Sequence, residues 1–159
     1  MTTIAYDGVS VCADGRIVYN DVITSDEYNK TLKNDQGDLF FVAGDATVAE
    51  RFVKEFKDFE YSAFDFDISA IVIKNNKVYH VGTCSEGGRF RFWSMDVRGM
   101  KFAIGSGAQF AKAAMDFGMD SVDAIKAANK RCIYTGQPYV KCDVASGVIE
   151  VLTKGANGF

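Results

Sequence analysis

The chain has 159 residues, 48% of them hydrophobic and 25% charged, which suits one globular domain with a real core and no disordered or low-complexity segment. A net charge of −3 and a pI near 5.1, with no basic block anywhere, argue against a nucleic-acid partner or an anionic-membrane surface. No apolar run approaches the roughly 18 residues of a membrane span, and the opening residues lack a basic stretch followed by an apolar one, so a cytoplasmic location is expected.

In chain order, apolar runs at 3–6 and 9–13 are joined by Asp7-Gly8, a tight-hairpin signal, and β-rich segments follow at 16–24, 28–33 and 38–43. The period then changes. From Asp45, a good N-cap, Val48, Phe52 and Phe56 recur at helical spacing, which predicts one amphipathic helix through about residue 58. After a polar and aromatic connection at 59–66, Ile68–Lys74, the turn Asn75-Asn76 and Lys77–Val81 read as a second hairpin, with more strand around 89–93. Lys101–Ile104 predicts a strand that breaks at Gly105-Ser106-Gly107 into a helix carrying Phe110, Ala114 and Phe117 on one face, closed by Gly118. Ser121 is read as the cap of a further helix with Val122, Ile125 and Ala128, through about 131. Tyr139–Val144 and Val148–Leu152, joined by Ala145-Ser146-Gly147, form a last hairpin, and Pro138 stands just before it. Hairpins with grouped helices argue for layered α+β packing over a doubly wound parallel sheet.

Cys12, Cys84, Cys132 and Cys142 are scattered without paired spacing, and with one histidine they make no zinc signature, so they read as reduced thiols. Cys12 and Cys142 fall within apolar strands as small buried hydrophobes. His80, in an alternating run, reads as a strand surface residue. A Ser-His-Asp or Cys-His mechanism therefore has no other histidine to use.

The N-terminus offers a different catalyst. Removal of Met1 would leave Thr2 with a hydroxyl nucleophile and an α-amine base on one residue. The amine's unperturbed pKa of about 7.7–8.0 leaves part of it neutral at pH 7, able to take the hydroxyl proton during attack on a carbonyl.

Thr2-Thr3-Ile4 is followed, in order, by Ala13-Asp14-Gly15, Asn29-Lys30 with Lys33, Val42-Ala43-Gly44, Ala103-Ile104-Gly105-Ser106-Gly107 and Cys132-Ile133-Tyr134-Thr135. With these residues in this order the chain resembles, over nearly its whole length, the bacterial proteasome-like peptidase family HslV and more broadly the β-type subunits of the proteasome. The resemblance implies a single domain over 1–159 with the N-terminal nucleophile hydrolase fold, a four-layer αββα sandwich of two antiparallel sheets. It implies a threonine-type peptidase in which Thr2 is the nucleophile, Lys30 the buried lysine beside it, Asp14 the carboxylate that pairs with Lys30, Gly44 the backbone oxyanion donor, and Ser106 the serine that bonds the Thr amine. It requires no cofactor for the chemistry. It also implies a bound monovalent cation such as Na⁺ on the backbone carbonyls of Asn129, Cys132 and Thr135. Expected partners are further copies of the chain in stacked rings, an ATP-driven unfoldase ring as in HslV, and a peptide or unfolded-protein substrate. The chain departs from the family in a shorter first hairpin between Thr2 and Asp14 and a shortened middle, where ring contacts and gating would be affected. Two other readings share the same core residues: a catalytically silent structural or regulatory binding subunit, and a small-molecule amidase on the same fold.

Overall fold

The structure, a computed structural model, describes residues 2–56, 61–62, 68–87 and 89–152; at 61, 62, 85, 86, 89 and 90 only the backbone is described. Among the described residues the fold mixes helix and strand and is mostly strand, with three sheets and three helices. The strands are β1 Thr3–Tyr6, β2 Ser10–Ala13, β3 Ile17–Tyr19, β4 Val22–Ser25, β5 Thr31–Lys33, β6 Leu39–Gly44, β7 Tyr61–Ser62, β8 Ile68–Lys74, β9 Lys77–Glu86, β10 Arg89–Asp96, β11 Phe102–Gly105, β12 Tyr139–Asp143 and β13 Ile149–Leu152. The helices are α1 Ala49–Glu55, α2 Ala108–Asp116 and α3 Ser121–Asn129. A five-stranded sheet runs β11-β1-β2-β12-β13, a six-stranded sheet runs β5-β6-β8-β9-β10-β7, and β3-β4 pair separately. All these pairings are antiparallel.

Local chemistry explains the turns. Asp7 Oδ1 accepts from the N–H groups of Val9 and Ser10, while Gly8 supplies φ +98°. Asn75 and Asn76 both adopt left-handed φ, 52° and 60°, which turns β8 into β9 as the sequence predicts. Asn20 and Asp21 do the same at 49° and 61°, so the segment read as one β-rich run at 16–24 folds as two short strands.

Period-2 alternation distributes the core. Ile4, Tyr6, Val11 and Ala13 of the five-stranded sheet share one cluster with Phe41, Ile71, Ile73 and Val78 of the six-stranded sheet. Phe40, Val42, Val72 and Phe92, on the opposite face of the six-stranded sheet, pack with Phe52 and Val53 of α1. Ala5, Cys12 and Tyr139 pack with Ala111 and Met115 of α2 and Val122, Ile125 and Ala128 of α3.

Helix boundaries and faces differ from the sequence reading for identifiable reasons. Asp45 caps a turn instead of α1: its Oδ1 accepts from the Thr47 N–H and hydroxyl, its carbonyl from Val48, and α1 begins at Ala49. Residues 57 and 58 of the expected helix, and most of the 59–66 connection, lie outside the described residues. The buried face of α2 is Ala111 and Met115; Phe110 and Ala114 of the predicted stripe pack partly buried against the same cluster, whereas Phe117 is 91% exposed. Asp120, not Ser121, caps α3, its side chain accepting from the Asp123 N–H. Ser121 is instead buried in the first turn, where its hydroxyl meets that of Ser10 at 2.6 Å and its N–H donates to Asp7. No helix among the described residues is long and apolar enough to cross a membrane.

Candidate active site

The site forms where the start of β1 meets the ends of β2, β6 and β11. Thr3 is the anchor. Its N–H donates to Asp14 Oδ1 at 2.9 Å and its carbonyl accepts from Asp14 N–H at 3.1 Å. Its hydroxyl lies 2.6 Å from that of Thr135 and accepts from Gly107 N–H at 3.0 Å. These bonds fix the register of residue 2 against three distant segments.

Asp14 follows β2, and Lys30 precedes β5. Lys30 Nζ donates to Asp14 Oδ1 at 2.6 Å, with the two residues 5% and 1% exposed. The other carboxylate oxygen accepts from the N–H groups of Gly136 at 3.0 Å and Arg16 at 3.2 Å. A buried ion pair is retained only where its remaining lone pairs are satisfied, and here three backbone donors serve the carboxylate. Burial pulls the Lys30 ammonium below its usual value, against the opposing pull of Asp14.

Ser106 reaches Thr2 through the carbonyl: its N–H donates to Thr2 O at 2.7 Å and its hydroxyl at 3.2 Å. The family resemblance implies a bond from this serine to the threonine amine, whereas the Ser106 hydroxyl meets the carbonyl end of the same residue. Cys132 Sγ stands 3.7 Å behind the Ser106 hydroxyl. Gly44 ends β6 with φ +130°, a conformation that favours glycine.

Thr2 and Gly44 line two separate cavities. The first, about 290 Å³, lies toward Lys30 and is walled by Ile17, Tyr28, Leu32 and Ala49. The second, about 430 Å³, lies toward Gly105 and Ser106, with Ser69 and Trp93 opposite. Thus Thr2, Asp14, Lys30, Gly44 and Ser106 converge on one place, with a buried cation on one side of a threonine and donors against its backbone.

The carbonyls assigned to a cation belong to a different segment. Cys132 N–H donates to Ala128 O at 2.8 Å, and the Cys132 carbonyl accepts from Thr135 N–H at 3.1 Å, so one lone pair of that carbonyl is already used. The Asn129 side chain bonds Tyr139 OH, and the Thr135 hydroxyl is turned to Thr3. The main-chain oxygens of this segment are the donor type that suits a hard cation such as Na⁺. Among the described residues there is no group of three or more His, Cys, Asp and Glu that could hold a metal.

His80 is half-buried, with less solvent exposure than a strand surface residue. Its ring packs between Trp93 and Phe102, at centroid distances of 4.6 and 4.7 Å, and its Nε2 is buried with no hydrogen-bond partner. Burial pushes its pKa down to about 4. Burial likewise pushes the Cys12 thiol up, making it a poor nucleophile, as befits its place in β2.

Sequence reasoning missed Thr3, the Thr135 hydroxyl, Gly136 and Trp93. Thr3 and Thr135 lie 132 residues apart, so no local pattern relates them. Gly136 had a weak signal, a glycine directly after a motif already singled out, and Arg16 packs where its Cβ would be, 2.4 Å from Nε. No protein-family model and no curated protein matches the chain.

Proposed function

We propose that this chain is a threonine-type peptidase subunit of a self-compartmentalising, HslV-like assembly, with the four-layer αββα fold of the N-terminal nucleophile hydrolases. The observation that carries this reading is the buried Lys30–Asp14 pair tied by Asp14 to Thr3, immediately beside Thr2. The three hydrophobic clusters, one drawing on both large sheets and two backed by helices, support the fold.

In the proposed mechanism, removal of Met1 frees the Thr2 α-amine. The amine takes the proton as Thr2 Oγ1 bonds the substrate carbonyl carbon, and nearby Lys30 favours the deprotonated hydroxyl. Gly44 N–H donates to the developing oxyanion; such donors contribute roughly 2.7–4 kcal/mol in the transition state. The carbon–nitrogen bond then breaks, the leaving amine takes the proton from the α-ammonium, and a Thr2 ester remains. Water, deprotonated by the same amine, attacks the ester carbon; the ester carbon–oxygen bond breaks, the acid leaves, and the α-ammonium returns its proton to Thr2 Oγ1. Asp14 and Ser106 are positioning residues: Asp14 holds Lys30 and residue 3, and Ser106 holds the Thr2 carbonyl. A cation on the carbonyls of residues 129, 132 and 135 would brace the segment that carries Thr135 and Gly136 toward Thr3 and Asp14.

The test is the intact mass of the purified protein before and after an epoxyketone that bridges the hydroxyl and amine of an N-terminal threonine. Loss of one methionine followed by one adduct, absent in Thr2→Ala, is the expected result. Full-length mass without an adduct would sink the peptidase reading and favour the silent binding subunit. An adduct with turnover of small amides but not peptides would favour the amidase.

A further inference from the structure

Among the described residues, the ribbon β3–β4 pairs with neither large sheet. It is anchored at its base, where the Arg16 guanidinium meets Asp26 and the Ile133 carbonyl, and at its turn, where Tyr134 OH donates to Asp21. Val22 and Ile23 are successive residues of β4 and so point to opposite faces, yet both are half or more exposed. Tyr19, the register partner of Val22, is exposed as well. The ribbon therefore stands off from the body as an arm with apolar side chains on both faces.

The same chain carries a groove with two apolar walls. The β5 edge of the six-stranded sheet and the β13 edge of the five-stranded sheet border one cavity of about 400 Å³. Leu32 and Leu39 line it from the first sheet, and Ile149 and Val151 from the second. Ile149 is paired with Cys142, which packs in the cluster shared by the two sheets, so Ile149 and Val151 lie on the face of β13 turned toward the six-stranded sheet. That sheet ends at β5, and among the described residues no further strand covers them.

Resting on the assembly in the reading above, we infer that the β3–β4 arm of one chain seats in the β5/β13 groove of a second copy. An arm that is apolar on both faces needs a groove with two apolar walls, and the open sheet edges that frame this one are templates for an added strand. The area is of the right order. At roughly 100 Å² for a Val or Ile side chain and 150–250 Å² for an aromatic one, the exposed parts of Tyr19, Val22, Ile23, Ile149 and Val151 come to on the order of 350 Å² per chain. A stable interface takes about 800 Å² from each partner, of which about 450 Å² is apolar, and the half-buried Leu32 and Leu39 add to the supply. A second copy covers both arm and groove, whereas a foreign partner shaped for one leaves the other in solvent. Ile17, Val18 and Tyr19 of the arm also wall the cavity beside Thr2 and Lys30, so seating the arm steadies that wall.

The test is a cross-link between two different chains. Val22→Cys and Val151→Cys proteins, mixed, oxidised and mapped by peptide mass, should yield a disulfide joining positions 22 and 151, absent from the parent chain, whose Cys12, Cys132 and Cys142 are buried. Absence of that link, or links only between like positions, overturns the contact. Ile23→Asp, at an exposed position, should weaken association about tenfold or more in sedimentation velocity with circular dichroism unchanged. Undiminished association overturns the contact too. In the same variant epoxyketone labelling of Thr2 should be slower than in the parent, and an equal rate overturns the steadying of the cavity wall. The two ideas fail separately: a 22–151 link without any adduct keeps the arm and removes the nucleophile, whereas an adduct without the link removes the arm alone.

Discussion

Gly105 and Gly107 flank Ser106 for two different steric reasons. A Cβ at Gly105 would sit 1.9 Å from the Thr2 carbonyl oxygen, on a backbone already at φ +96°; one at Gly107 would sit 2.2 Å from the Thr3 hydroxyl. The first glycine lets β11 press against residue 2, and the second lets the start of α2 donate to residue 3. Gly105→Ala should therefore displace Thr2 and abolish epoxyketone labelling in a chain that still folds by circular dichroism; undiminished labelling would show that the close approach is not needed. Asp14 carries a different burden, since its removal strands a buried ammonium. Asp14→Asn should lower stability by about 3–5 kcal/mol in denaturant titration, and a loss below about 1 kcal/mol would mean that Lys30 finds water or another partner. The Asp14 and Lys30 positions were legible because their spacing matched a known pattern. Ser106's bond to the carbonyl was not, because a motif names a residue without saying which of two atoms on its neighbour it meets.

At the scale of elements, what the sequence made legible was governed by whether the signal was local. The Asn75-Asn76 turn and the β8–β9 hairpin follow from left-handed φ at two asparagines. The face of α2 followed in part: Phe110 and Ala114 pack partly buried against the cluster, but its fully buried residues are Ala111 and Met115, and Phe117 is left in solvent. The half-burial of His80 was not legible either: alternation places it on one face of β9, and only tertiary packing sets Trp93 and Phe102 against its ring. Its burial has a pH consequence. The folded pKa, about 4, lies below the unfolded value near 6.5, so between these values the unfolded chain binds a proton that the folded chain does not. Stability from this group is fully present above about pH 6.5 and is lost as pH falls toward 4. His80→Phe should flatten the decline of the denaturation midpoint between pH 6.5 and 5; an unchanged slope would assign the decline to other groups.

The whole molecule leaves apolar side chains in solvent at places that suit self-association. Tyr19, Val22 and Ile23 on the β3–β4 hairpin are 71%, 64% and 50% exposed. Val151 on β13, an edge strand of the five-stranded sheet, is 62% exposed. Edges of this kind are liabilities in a monomer. The proposed compartment requires that sedimentation velocity give a mass several times 17.4 kDa. A monomer would remove the compartment from the proposal and leave the Thr2 chemistry to stand by the labelling experiment.

The hydroxyl contact between Thr3 and Thr135, with the Gly136 donor to Asp14, also bears on timing. Synthesis produces Thr2 and Thr3 first and the segments that seat them last. A nascent chain that has not yet made residues 106, 135 and 136 has a threonine but no socket for it. Closing contacts this remote in sequence is slow relative to forming hairpins. Under the proposed function, the threonine would stay unseated on the ribosome until these last segments dock, a delay written into the order in which the polypeptide is made.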